Sequence, residues 1–241
     1  MALGEPAGLD DELPLVTQRD FSLDELVALA ECFDLETFPG VDASPLEAAR
    51  EAALETARRD LVARGTLTYD DDGELSLRSS ETVMLTLALA PALVVEVTHA
   101  FDGEVRQTRF AVRPELALEQ RRREDANAIW TLELFPAEDL FERLVEFTGL
   151  YDRPLSRGAA FRTSPETFDE DLQRVVGEVV SSSRVVAVWR EGESEDEVRS
   201  CQVAWVDGGD DGLWQVTDDR EAFPVTGRKL LDDLLEQLPG D

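Results

Sequence analysis

The sequence contains one lysine, one histidine and two cysteines, and each scarcity excludes a kind of site. Because His99 is the single histidine, a metal site with two histidine ligands is impossible. Cys32 and Cys201 are too few and too far apart in the sequence for the disulfide framework of a small secreted domain. We therefore expect a reducing, cytoplasmic location for the chain.

Positive charge is also scarce, since 23 basic residues face 53 acidic ones and the formal net charge is −30. A chain of this charge repels phosphate groups, so we expect no nucleic-acid partner. Lys229 is the single lysine, and every other basic residue is arginine. This composition suits a cytoplasm of very high salt, where screened carboxylates keep a surface hydrated. A GC-rich genome that favours arginine codons, with an acidic surface for solubility, is the alternative explanation.

No segment has the features of a membrane span or a signal peptide. The longest apolar stretch, residues 83–97, contains Pro91 and Glu96 and is shorter than the roughly 18 residues that a spanning helix requires. The N-terminus has no basic start followed by an apolar stretch. Since 43% of the 241 residues are hydrophobic, we expect a packed core and no membrane association.

The N-terminal third predicts a helical pair and a small hairpin after a flexible lead-in over residues 1–20. Ser22 and Glu25 have the spacing of a capping box, which predicts a helix start. Ser44, followed by Pro45 and Glu47, predicts a second helix start, and Gly65 closes that helix. Residues 67–69 and 75–77 read as strands joined by an Asp-Gly turn.

The remainder of the chain contains an internal similarity. Residues 81–90, 93–99, 104–112, 128–133 and 137–147 read as a helix, three strands and a helix, and the same order returns over residues 167–180, 184–189, 197–206, 212–217 and 229–238. Val-rich, Glu-Val-Arg and apolar-Trp segments recur in one order. We therefore predict an α+β fold with a pseudo-two-fold duplication of a helix, three-strand antiparallel, helix unit, with the N-terminal helices and hairpin added. The predicted halves, residues 21–150 and 151–241, pack as one domain.

Residues that could do chemistry are few. His99 has no Gly-x-Ser-x-Gly motif to accompany it, and no phosphate-binding glycine loop is present. The acidic segments 70–74 and 207–212 have the composition of ordinary turns and do not match a calcium-binding helix-loop-helix. We therefore predict no catalytic residue, no metal site and no cofactor.

One segment departs from the acidic surface. Residues 113–127 join the second and third predicted strands of the first repeat, whereas the second repeat has a short turn there. The segment carries Arg121, Arg122 and Arg123 with the apolar Leu116 and Leu118, which predicts a protein-binding loop. The alternative is a solvated loop whose arginines pair with neighbouring glutamates.

The sequence resembles the EspG family of ESX (type VII) secretion-associated chaperones. The similarity lies in three segments, the duplicated unit and the Asp-Gly hairpin, and the segments are Asp24-Glu25-Leu26-Val27-Ala28-Leu29-Ala30, Leu61-Val62-Ala63-Arg64-Gly65 and Leu87-Ala88-Leu89-Ala90-Pro91. The resemblance implies a cytosolic chaperone that binds the apolar tip of PE-PPE secretion substrates. It implies substrate contacts from residues 113–127 and from the C-terminal helix, where Leu231 and Leu235 are the candidates.

These observations predict a non-enzymatic adaptor or chaperone for a protein partner, and they do not define its oligomeric state. A small-molecule-binding or enzymatic domain is the alternative, with carboxylates such as Glu96 and Glu104 buried together between the halves. A winged-helix regulator is a weaker alternative, because no basic recognition helix is present.

Overall fold

The computed structural model describes residues 17–41, 50–69, 73, 75–123, 129–150, 155–162, 166–191 and 197–239. Of these residues, 36% are helical and 39% are in strands. In chain order the helices are α1 (Leu23–Cys32), α2 (Arg50–Ala63), α3 (Ser79–Leu89), α4 (Leu140–Thr148), α5 (Phe168–Val176) and α6 (Gly227–Gln237). The strands are β1 (Thr17–Ser22), β2 (Leu67–Tyr69), β3 (Leu75–Leu77), β4 (Leu93–Phe101), β5 (Glu104–Val112), β6 (Leu116–Arg122), β7 (Ile129–Pro136), β8 (Phe161–Arg162), β9 (Ser181–Arg190), β10 (Val198–Asp207), β11 (Leu213–Val216) and β12 (Glu221–Val225).

The fold class predicted from the sequence is wrong. Ten strands belong to one mostly antiparallel sheet, so the protein is richer in sheet than a duplicated three-strand unit flanked by helices. Part of the predicted binding loop forms β6, and a further strand, β12, follows β11. Four strands therefore lie between α3 and α4, and four lie between α5 and α6.

The chain divides into two compact units, each assembled from separate parts of the sequence. The first unit combines the described residues up to Pro91 with Leu116–Pro136. Its strands pair antiparallel in the order β1, β7, β6, while β2 and β3 form a separate hairpin. Helix α1 packs on α2, and α3 packs on β6 and β7. The largest fully buried side chains of this unit are Phe135, Leu26, Leu61, Leu67, Met84, Leu118, Leu132 and Gln120.

The N-terminal helices and the hairpin form where local signals predict them. Ser22 Oγ accepts a hydrogen bond from the Glu25 amide at 3.2 Å, and Glu25 Oε2 accepts one from the Ser22 amide at 2.7 Å, which completes the capping box. Gly65, just after α2, has a φ of +67°, a conformation that favours glycine. The predicted helix start at Ser44, Pro45 and Glu47 lies outside the described residues.

The second unit comprises Ala92–Glu115 and the described residues from Ala137 onward. Its strands pair antiparallel in the order β5, β4, β9, β10, β11, β12, β8. Since successive side chains of a strand point to opposite faces, Trp205 and Val206 of β10 lie on different faces of the sheet. Helix α6 packs against β10, and α4 packs against β4.

Helix α5 covers the opposite face near the end of this sheet. Its residues Phe168, Leu172 and Val176 form a buried cluster with the strand residues Val206, Trp214 and Ala222. The Trp214 ring packs so closely on Gly158 that a Cβ atom at residue 158 would lie 2.3 Å from it. A glycine is therefore required where the chain crosses this tryptophan.

The outer strands have features that reduce their capacity for further pairing. On β1, the backbone carbonyl of Gln18 accepts a hydrogen bond from Arg19 Nη1 at 2.9 Å, and that of Asp20 accepts one from Arg64 Nη1 at 3.3 Å. On β12, only Glu221 and Ala222 pair with β8, and Pro224 follows them. Proline has no backbone N–H to donate to a neighbouring strand.

The capping box gives a direct test of the N-terminal fold. Ser22→Ala removes the side-chain oxygen that satisfies the Glu25 amide, so the free energy of unfolding should fall by about 1 kcal/mol. Urea denaturation followed by circular dichroism measures the change. Ser200→Ala, at an exposed position of β10, is the matched control and should change stability by less than about 0.5 kcal/mol. Equal midpoints for the two variants would contradict the capping role.

Candidate functional site

The structure places the predicted binding leucines Leu116 and Leu118 in β6, so the expected loop is wrong over Leu116–Arg122. Leu118 is fully buried and Leu116 is partly buried. The Leu118 side chain is part of the core of the first unit and presents no surface to a partner. Residues 124–128 of the predicted segment lie outside the described residues.

Two of the predicted binding arginines form ion pairs on one face of β1, β7 and β6. Arg121 lies 3.6 Å from a carboxylate oxygen of Glu119 and 3.9 Å from one of Glu133. Glu119 and Glu133 are buried and directly opposite each other in the β6–β7 register. The sequence offered ion pairs with neighbouring glutamates as the alternative role of these arginines. The structure contains one such pair, between Arg121 and Glu119.

Arg123 pairs with the carboxylate of Asp20 at 3.2 Å. The other oxygen of Asp20 accepts a hydrogen bond from Thr131 Oγ1 at 2.8 Å, so β1, β6 and β7 share one polar network. Arg122 is exposed and lies opposite Trp130 in the β6–β7 register. The ion pairs of Arg121 and Arg123 join neighbouring strands. Arg122 takes no part in this network.

The C-terminal helix α6 presents the predicted leucines at its surface. The Thr226 side chain caps the helix by accepting a hydrogen bond from the Lys229 amide at 3.2 Å. Leu231 is partly buried and Leu235 is 50% exposed, while Leu230 and Leu234 are buried. A hydrogen bond from Lys229 to Asp233 raises the pKa of the Lys229 ammonium. The outward side of α6 therefore combines ion pairs one turn apart with an exposed leucine.

Helices α4 and α6 border a small crevice of about 10 Å³ on the sheet of the second unit, which we call the α4–α6 cleft. Its lining is apolar except for the hydroxyl of Thr148, which donates to the Leu144 carbonyl at 2.7 Å. The lining residues are Leu144, Thr148, Leu150, Val185, Val203, Trp205, Leu230, Leu231 and Leu234. Leu231 thus belongs to a concave apolar site, and sequence analysis missed its other walls.

His99 lies on the same sheet face as the cleft floor. Its Nδ1 is 2.9 Å from Ser183 Oγ, and both residues are buried. Burial, and secondarily the charge of Arg106, lower the pKa of His99 below its ordinary value of 6.5. The histidine and serine form two members of a catalytic triad pattern, but within the described residues no carboxylate hydrogen-bonds to the imidazole.

The structure does not bring together the carboxylates proposed for the alternative function. Glu96 lies opposite Arg109 and Glu104 lies opposite Phe101 in the β4–β5 register, which puts the two glutamates on different faces. Both are exposed.

The remaining polar candidates show no ligand geometry in the part of the chain that the structure describes. It contains no group of three or more histidine, cysteine or acidic residues positioned for a metal ion. In the predicted acidic turn over residues 207–212, Asp207 Oδ1 accepts a hydrogen bond from the Gly209 amide at 2.7 Å. Residues 70–72 and 74 of the other acidic turn are outside the described ranges. Cys32 and Cys201 are free thiols whose pKa values are raised, chiefly by burial.

Comparison with known proteins does not assign the chain to a family. No family model matches the sequence, and no curated protein matches it significantly. Among the described helices, none combines the length and the apolar composition that crossing a membrane requires. The function is therefore argued from the geometry of the cleft.

Two leucines that sequence analysis treated alike should respond differently to substitution. Leu118→Asp buries a carboxylate in the core of the first unit, so it should lower the free energy of unfolding by about 3 kcal/mol or more. Leu235→Asp replaces a half-exposed side chain and should change stability by about 0.5 kcal/mol or less. Chemical denaturation of both variants measures the difference. Equal losses would show that the burial of Leu118 is incorrect.

Proposed function

We propose that the protein is a non-enzymatic, cytoplasmic adaptor or chaperone that binds a protein partner through the α4–α6 cleft. The observation that carries the proposal is the half-exposed Leu235 on the helix that borders an almost wholly apolar cleft. Apolar side chains of a partner that pack on Leu231 and Leu235 gain free energy, because they leave water.

The chemistry of the cleft favours an amphipathic helix as the partner. A helix offers apolar side chains three and four residues apart, which can pack along Leu231 and Leu235, themselves four residues apart on α6. The polar side of α6 carries Lys229 paired with Asp233 and Arg228 paired with Asp232. These pairs flank the apolar surface and supply a polar rim, which is the usual arrangement of a protein interface.

The EspG resemblance supports the same class of partner. In that family the C-terminal helical region contacts the exposed apolar tip of a PE-PPE secretion substrate, and the corresponding residues here are Leu231 and Leu235. A type VII secretion substrate is therefore the partner that we propose first. The free thiols of Cys32 and Cys201 support the cytoplasmic location, because reducing compartments preserve unpaired cysteines.

Affinity capture from the native lysate, followed by mass spectrometry, tests the proposal. The wild-type chain, at high salt and neutral pH, should retain a stoichiometric helical protein. Leu235→Asp should weaken the interaction about tenfold or more, since losing one buried leucine contact costs about 1.5–3 kcal/mol. Titration of the captured partner against the purified variants measures the dissociation constants.

Leu155→Asp provides a matched control for this titration. Leu155 is 58% exposed, so it resembles Leu235 in chemistry and exposure, but it does not belong to α6, the helix that borders the cleft. The control should bind the partner as the wild type does. Equal binding by all three proteins, or no partner in the capture, would contradict the proposed function.

A further inference from the structure

The single histidine of the chain lies in a cross-strand row that leads into the α4–α6 cleft. Arg106 of β5 is the register partner of His99 on β4, His99 is that of Ser183 on β9, and Ser183 is that of Trp205 on β10. Directly opposed side chains of antiparallel strands lie on one face, about 5 Å apart. Trp205 of β10 and Val185 of β9 are part of the cleft floor, so the cleft begins one strand away from the imidazole.

Helix α4 packs on the same imidazole. The Phe147 ring of α4 meets the His99 ring edge-on, with the centroids 6.4 Å apart and an interplanar angle of 67°. Phe101 of the same strand stacks on it at 6.4 Å and 9°. Helix α4 also supplies Leu144 and Thr148 to the cleft. One helix therefore touches both the histidine and the cleft.

These surroundings favour a neutral imidazole. Among the described groups, α4 presents the Phe147 ring, β9 presents the Ser183 hydroxyl and β5 presents the Arg106 guanidinium, which pairs with Glu104 at 3.4 Å. Protonation would place a cation in a buried position under α4 and beside an arginine. Burial and then Arg106 accordingly lower the pKa of His99.

The direction of the resulting pH dependence follows from proton linkage. The folded state holds the imidazole neutral below pH 6.5, whereas the opened or unfolded chain takes up a proton there. The contribution of His99 to stability is therefore complete above about pH 6.5 and is lost as the pH falls from 6.5 through the lower pKa of the folded state. The chain has no second histidine.

We propose that His99 acts as an acid-sensitive latch for α4, whose protonation releases the Phe147 contact, loosens α4 from β4 and opens the α4–α6 cleft. The latch concerns the free protein. That it regulates partner binding rests on the function proposed above, because only then is the cleft a binding site. Acidification would lower the affinity of the cleft for a bound helix.

Hydrogen exchange of the α4 amides in the free protein tests the latch. Between pH 7.5 and 5.5, after correction for intrinsic exchange rates, the wild-type α4 should lose protection. The loss at pH 5.5 should be at most about tenfold, because this pH lies one unit below the ordinary imidazole pKa of 6.5. His99→Gln keeps a polar side chain beside Ser183 but does not titrate, so its α4 should lose distinctly less. Equal losses in the two proteins would overturn the proposal.

The unique histidine resonance gives a second, independent measurement. In the wild type, the His99 ring protons should titrate with a pKa below 6.5, and Arg106→Gln should move that pKa upward because it removes a nearby positive charge. The Arg106 side chain is 46% exposed, so this variant should fold. A wild-type pKa at or above 6.5 would overturn the latch. Neither measurement uses a partner, so the latch and the proposed function fail or succeed separately.

Discussion

The antiparallel pairing of β4 with β9 is the interaction on which the second unit depends. Nine consecutive residue pairs, from Leu93–Trp189 to Phe101–Ser181, fix the register of these strands. Because side chains alternate between faces, this register places His99 beside Ser183 and places Val185 in the cleft floor. A shift by one residue would turn every one of these side chains to the other face. The positions of the cleft floor, of His99 and of the surface on which α4 packs therefore follow from one strand pairing.

Sequence analysis succeeded where both partners of an interaction are close in the chain. The capping box joins residues three apart, and the hairpin strands β2 and β3 are separated by a short turn. It failed for β6, whose charged residues resemble a loop. Glu119 is buried beside Arg121, and Gln120 donates to the Pro39 carbonyl 81 residues away. Only the folded chain supplies the partners that allow this polar strand to be buried. It missed β12 because Pro224 is an unfavourable residue within a strand.

The candidate site was predictable to the same limited extent. The EspG resemblance pointed to Leu231 and Leu235 in α6, of which Leu231 is partly buried and Leu235 is 50% exposed. The opposing wall of the cleft comes from α4, and its floor comes from β9 and β10. These segments are far apart in the sequence, and no local signal assembles them. The cluster Arg121–Arg123 illustrates the converse. It is conspicuous in the sequence, but Arg121 and Arg123 form ion pairs with Glu133 of β7 and Asp20 of β1.

The hydrogen-bonded carbonyls of β1 and the proline of β12 limit the association of separate copies of the chain. At low ionic strength, a net charge of −30 keeps copies of the chain apart without further help. At the ionic strength of a saline cytoplasm, the Debye length shrinks to a few ångströms and this repulsion no longer acts between whole molecules. Protection then depends on short-range geometry. An approaching strand meets carbonyls already bonded to Arg19 and Arg64 on β1, and meets Pro224, which has no amide proton, on β12. This short-range protection depends less on salt than the electrostatic repulsion does.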